Sequence, residues 1–134
     1  MIAQIHVRVR YAETDQMGIV YHANYFQWFE MGRTHLLREA GLPYKDLELA
    51  GFRLPVLEAH CKYLKPAHYD DLLRIESTLH EVQRASLIIN YTLFNAETET
   101  MLATGYTKHG VINQEGKLTR IPPILKTALD NARL

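Results

Sequence analysis

Cysteine is nearly absent from this chain of 134 residues: Cys61 stands alone, so no disulfide can form within it. That pattern fits a reducing compartment. Charge of either sign is also missing in the net, since fifteen Lys and Arg balance fifteen Asp and Glu. A neutral chain has no general attraction to nucleic acid or anionic lipid, although a local basic patch for a phosphate ligand stays open. No apolar run approaches the ~20 residues of a membrane helix. The first residues alternate from the start and lack the charged-then-apolar order of a signal peptide. Repeats, low-complexity tracts and linkers are absent too. The expectation is one soluble, cytoplasmic domain over residues 1–134, without membrane insertion, cofactor, metal or nucleic-acid partner. A chain of this length buries roughly two-thirds of its unfolded surface and needs no staples.

The apolar periodicity divides the chain. Residues 2–11 alternate, with Val7, Val9 and Tyr11 on one side and His6, Arg8 and Arg10 on the other, as in a half-buried strand. Residues 12–21 are irregular. Tyr25, Phe29, Gly32, Leu36 and Ala40 then recur at helical spacing, with Asn24 and Gln27 as a capping box and Gly41 as the stop. Trp28, Phe26 and Leu37 widen the stripe until the helix should be largely enclosed. Gly32 costs a helix about 1 kcal/mol against alanine, so something packs close to the backbone there. A short helix is expected over residues 43–50.

After that the period falls to 2. Leu57, Ala59, Cys61 and Tyr63 share one strand face; Leu73, Ile75 and Leu79 the next; Leu87, Ile89, Tyr91 and Leu93 a third; Met101, Ala103 and Gly105 a fourth. Pro122 and Pro123 open a terminal helix. The reading is α+β: one long helix buried against a curved antiparallel sheet of about five strands, the last four running as a meander. The sheet must hide an edge or a face, so a homo-oligomer is expected, either a dimer or a dimer of dimers (a homotetramer).

Chemistry concentrates in one stretch, ETDQMGIVYHANYF. It holds a carboxylate, Asp15, in a loop before a helix whose first N–H groups are unpaired by construction. Gly18 lets the backbone turn or approach a ligand. A carboxylate beside such donors suits acyl transfer, where one oxyanion donor is worth about 2.7–4 kcal/mol. Asp15 with Glu13 would also serve as an ordinary solvated turn.

The pattern T-D-x-x-G-x-V-Y-H-x-N-Y followed by an aromatic helix resembles the 4-hydroxybenzoyl-CoA thioesterase family of hotdog proteins. It is most similar to the branch of bacterial acyl-CoA thioesterases associated with the Tol-Pal envelope cluster. The likeness extends through E-x-G-R-T-x-L-L-R, Y-x-x-P-A-x-x-D-D and R-x-S, about residues 5–123. It implies an enzyme that hydrolyses small acyl-CoA to acid and CoA. By this resemblance Asp15 is the nucleophile or general base, and His22 supplies an oxyanion contact through its backbone N–H. Gly18, Tyr21, Asn24 and Tyr25 frame the substrate, and Arg84 and Ser86 contact the CoA phosphates. Gln83 stands where the aromatic-acyl enzyme has a second arginine, and Tyr21-His22 replaces its Trp-Tyr, which favours a general acyl-CoA. A hotdog dehydratase and a non-catalytic acyl-CoA-binding or envelope-associated scaffold are the alternatives. His6, His35, His60, His68, His80 and His109 show no metal-ligand spacing.

Overall fold

A computed structural model describes all 134 residues. In chain order the elements are β1 (Ile2–Arg8), a 3₁₀ turn (Tyr11–Glu13), α1 (Asn24–Glu39), α2 (Tyr44–Leu49), β2 (Val56–Tyr63), β3 (Leu72–Val82), β4 (Ser86–Asn95), β5 (Thr100–Gly110) and α3 (Pro123–Ala132). No helix is long and apolar enough to cross a membrane.

The sequence places α1 well. Tyr25, Trp28, Phe29, Gly32, Leu36 and Leu37 are all buried, and Gly41 ends the helix at φ +97°, where a side chain would be strained. Two readings need correction. The expected capping box does not form: Ala23 is the N-cap, and the Asn24 side chain instead donates to the Glu13 carbonyl at 2.8 Å. The enclosure is also incomplete. Gln27, Glu30 and Met31 are exposed, which leaves one flank of α1 open.

All five strands form one antiparallel sheet in the order β1-β3-β4-β5-β2. The expected four-strand meander is therefore only β3-β4-β5. β2 crosses to the far edge and pairs with β5, because the sheet must curl around both sides of α1 to bury it. Phe29 seats the helix: its ring stacks on Tyr91 at 4.5 Å and 4°. Gly105 is needed beneath it, since a Cβ there would meet the Phe29 ring and the His60 carbonyl. At Gly32 a Cβ would meet Ser77 and Ile75, so the close approach implied by that glycine is to β3.

The first strand is shorter than its alternation suggests. It ends at Arg8, the chain turns, and Tyr11 stands 77% exposed rather than on the buried face. A bulge between Leu93 and Phe94 resets the fourth strand face, burying Leu102 and exposing Met101. β2 is covered on neither face: all but Cys61 of its eight residues are exposed, Val56, Leu57 and Tyr63 among them.

Candidate active site

The loop between β1 and α1 is folded back on itself. Thr14 bridges Val20, the Asp15 N–H donates to the Ile19 carbonyl at 2.8 Å, and the Gly18 N–H donates to the Asp15 carbonyl at 3.1 Å. Gly18 takes φ +80° to close this turn. The Tyr21 N–H then bonds Glu13, and Val20 bonds Ala67 ahead of β3. These links deliver the chain from Asp15 to the start of α1 along one pinned path.

Asp15 is half-buried. One carboxylate oxygen accepts the Met17 N–H at 2.8 Å; the other makes no bond within the protein. The turn therefore orients the carboxylate while leaving one oxygen without a partner. At the helix start, the N–H groups of Asn24, Tyr25 and Phe26 bond the carbonyls of Tyr21, His22 and Ala23. The N–H groups of His22 and Ala23 have no acceptor, and both residues are exposed. Two adjacent donors at the positive end of a 16-residue helix can hold a developing oxyanion.

Tyr63, which the strand pattern marks only as an apolar face residue, takes part here. Its hydroxyl donates to the His22 carbonyl at 2.8 Å and so fixes the peptide that carries the Ala23 N–H. Burial, then Cys61, pushes the Tyr63 phenol well above its usual range, which keeps it a donor. Beside it lies a cavity of about 350 Å³ lined by Ile19, His22, Tyr25, Tyr63 and Lys65. Tyr25 is a wall: it is buried, and its hydroxyl accepts the Ala67 N–H. Tyr21 is exposed and its ring lies 4.5 Å from the His22 imidazole. Burial pushes the Cys61 thiol up, as its face position suggests.

A second cavity of about 330 Å³ opens on the exposed flank of α1, between Phe26, Glu30 and Arg33 of the helix and Ala59, Thr107 and His109 of the sheet. A hydrogen-bond chain forms its floor. Tyr91 and Thr107 hydroxyls lie 2.7 Å apart, Thr107 is 2.7 Å from His109 Nε2, and His109 Nδ1 is 3.4 Å from the Leu54 carbonyl. A carbonyl only accepts, so Nδ1 carries the proton and Nε2 accepts from Thr107, which in turn accepts from Tyr91. Burial first and the positive Arg33 second hold His109 down to about 4, so the ring is neutral.

Arg84 and Ser86 lie elsewhere. They flank the β3–β4 turn, at the far end of β3 from the Asp15 loop. Eleven strand residues put ~33 Å between those ends. Ser86 is buried with its hydroxyl on Gln83 at 3.2 Å. Arg84 instead joins Arg120, Lys126 and Arg133 around a cavity of about 270 Å³, where Asp130 is the only carboxylate. Sequence reading missed this basic cluster because its members come from two distant parts of the chain. No three His, Cys, Asp or Glu side chains converge as a metal site requires.

Comparison with known proteins agrees with this architecture. Residues 9–129 match the model of the Thioesterase-like superfamily. The acyl-CoA thioester hydrolase YbgC of Escherichia coli O157:H7 is 34% identical over 91 residues, 68% of each chain. The DHNA-CoA thioesterase structure from Staphylococcus aureus superposes with a TM-score of 0.91 at 29% identity, covering 96% of this chain and 89% of that one. The Thermus thermophilus protein TT1821 gives 0.93 at 32% identity, over 98% and 99%. The helix cradled in a curled sheet and the match across nearly the whole chain lead to one conclusion: this chain belongs to the thioesterase-like superfamily of hotdog proteins.

Proposed function

We propose that this protein hydrolyses acyl-CoA thioesters to the free acid and CoA. The observation that carries the reading is the pair of unpaired N–H groups at His22 and Ala23, at the end of the same pinned loop that presents Asp15. The thioester oxygen sits against those donors. The free oxygen of Asp15 attacks the carbonyl carbon, or takes the proton of a water that does. Either way the carbon becomes tetrahedral, the C–S bond breaks and CoA leaves as a thiolate that takes up a proton. After direct attack the acyl group stays on Asp15 as an anhydride, which a water then cleaves to release the acid and restore the carboxylate; the activated water gives the acid at once. The His22 imidazole makes no hydrogen bond within the protein and lines the cavity, so its role begins with its backbone. That related proteins act on acyl-CoA and DHNA-CoA supports a CoA thioester as substrate.

The catalytic unit is a homodimer joined through β2. Its exposed edge has free N–H and C=O groups, no internal proline, and apolar side chains on view. A two-fold axis pairs β2 with its copy antiparallel. The Tyr63 end of one strand then meets the Val56 end of the other. Counting ~4.8 Å per strand across the partner's β2, β5 and β4, the partner's Ser86 end comes within ~15 Å of the Tyr63 end of β2, whose hydroxyl holds the His22 peptide. The protomer's own Arg84 is about twice as far. This arrangement supports a role for the partner's Arg84, with the partner's Arg120 and the partner's Lys126 beside it, in binding the CoA phosphates.

Thiol release measured over short, medium and aromatic acyl-CoAs tests the reading. Turnover of at least one class is expected. A 3-hydroxyacyl thioester that loses water without releasing thiol would instead identify a dehydratase. Tight CoA binding with no thiol release from any ester would identify a binding protein.

A further inference from the structure

Arg33 is 7% exposed, and its Nε is buried with no hydrogen-bond partner. Its one hydrogen bond is long, 3.4 Å to the Thr34 hydroxyl, and its guanidinium lies 4.5 Å over the Tyr44 ring. The arginine ion pairs of the chain involve Arg8, Arg10, Arg53, Arg74 and Arg133, not Arg33. A buried cation without a counter-ion is costly, and natural proteins rarely leave one so. Within the protomer nothing supplies the missing charge. His109 is neutral, Tyr91 and Thr107 keep their protons, and the exposed Glu30 at the cavity mouth makes no ion pair with it. Since the hydroxyls point along their own chain, the guanidinium is the buried donor left facing the cavity.

The position of this cation relative to the proposed reaction centre fixes what it would hold. Both cavities flank α1, one at its start with His22 and Tyr63, the other with Arg33 and Ala59. The small, incompletely covered inner side of β2, Ala59 and Cys61, runs between them. From Ala23 to Arg33 is ten residues, ~15 Å of helix. An arginine side chain leans back toward the N-terminus and shortens that to about 10 Å. An extended chain covers ~1.2 Å per bond, so about eight bonds span the gap.

We propose that Arg33 forms a carboxylate-binding subsite for the far end of the acyl group, making this enzyme selective for the CoA half-thioesters of medium-length dicarboxylic acids. The proposal rests on the thioesterase reading given above and adds its substrate class.

The test compares suberoyl-CoA, with a free carboxylate at the far end of eight carbons, with octanoyl-CoA. Wild type is expected to show a kcat/KM at least tenfold higher for suberoyl-CoA. Arg33→Met keeps the length and packing of the side chain and removes its charge. It should abolish that preference while leaving octanoyl-CoA turnover within about threefold. Equal kcat/KM for both esters in wild type would overturn the proposal without any variant. So would an Arg33→Met enzyme that loses both activities alike, which marks a structural arginine. Glu30→Gln should leave the wild-type preference unchanged; a preference that appears only in this variant would show that Glu30 neutralises Arg33 and would overturn the proposal. A binding arm keeps the two readings apart. Calorimetry of both esters with Asp15→Asn should favour suberoyl-CoA at least tenfold, even if no ester is ever hydrolysed; equal affinities would overturn the subsite alone.

Discussion

Replacing Gly32 by alanine sets two well-measured effects against each other at one position. By helix propensity alone, alanine in mid-helix gains about 1 kcal/mol over glycine. Packing opposes this. A Cβ at Gly32 would run into the Ser77 hydroxyl and lie 3.2 Å from Ile75 Cγ2 and 3.4 Å from Tyr91 Cδ1. Overpacking of a dense core costs about 1–3 kcal/mol. Ser77 is fully buried and its hydroxyl has no partner. The net expectation for Gly32→Ala is therefore a loss on the order of 1 kcal/mol. The Ser77→Ala background removes both the obstruction and a buried unsatisfied hydroxyl, which itself costs about 1–3 kcal/mol. There the same Gly32→Ala change should become neutral or stabilising by up to about 1 kcal/mol. Urea denaturation of the four proteins in the cycle gives the coupling directly. If Gly32→Ala has the same sign and size in both backgrounds, the close seat of α1 on β3 is not what the glycine serves.

Two further outcomes follow from the hydrogen-bonded groups around α1. His109 is held down to about 4, against about 6.5 in an unfolded chain, so the unfolded state takes up a proton first as pH falls. The protein should lose up to about 3 kcal/mol between pH 6.5 and 4. His109→Gln should flatten that part of a plot of Tm against pH; parallel curves would refute the assignment. Tyr63→Phe removes the bond to the His22 carbonyl at the exposed helix start. One such bond is worth about 0.5–1.5 kcal/mol, so kcat should fall roughly two- to twelvefold with Tm nearly unchanged. An unaltered kcat would show that Tyr63 does not position the oxyanion donors.

Local periodicity carries much of this fold. The stripe from Tyr25 to Ala40 and the faces of Leu73, Ile75, Ile89 and Leu93 are legible because each buried set repeats at the period of its own element. What periodicity does not encode is partnership. Alternation in β2 looks the same whether it neighbours β3 or β5, and its exposure on both faces is a property of the sheet edge it occupies. The alternation puts Tyr11 on a buried face because it continues past Arg8 while the strand does not. The site is divided in the same way. Asp15, Gly18 and His22 lie within one short stretch of chain, so their motif is readable as a unit. Tyr63, Arg33 with His109, and Arg84 with Lys126 come together only through tertiary packing. The separation of Arg84 and Ser86 from Asp15 is legible only once β3 has a length and a direction.

The most direct check on the central claim is the turnover of Asp15→Asn with the best acyl-CoA of the panel. Asparagine keeps the oxygen that accepts the Met17 N–H, so the loop and the fold should persist. The account predicts a thiol-release rate reduced by about 10²–10⁴-fold, the scale typical for losing a catalytic acid–base group, with wild-type Tm and circular dichroism. A folded Asp15→Asn enzyme that keeps the wild-type rate would contradict it.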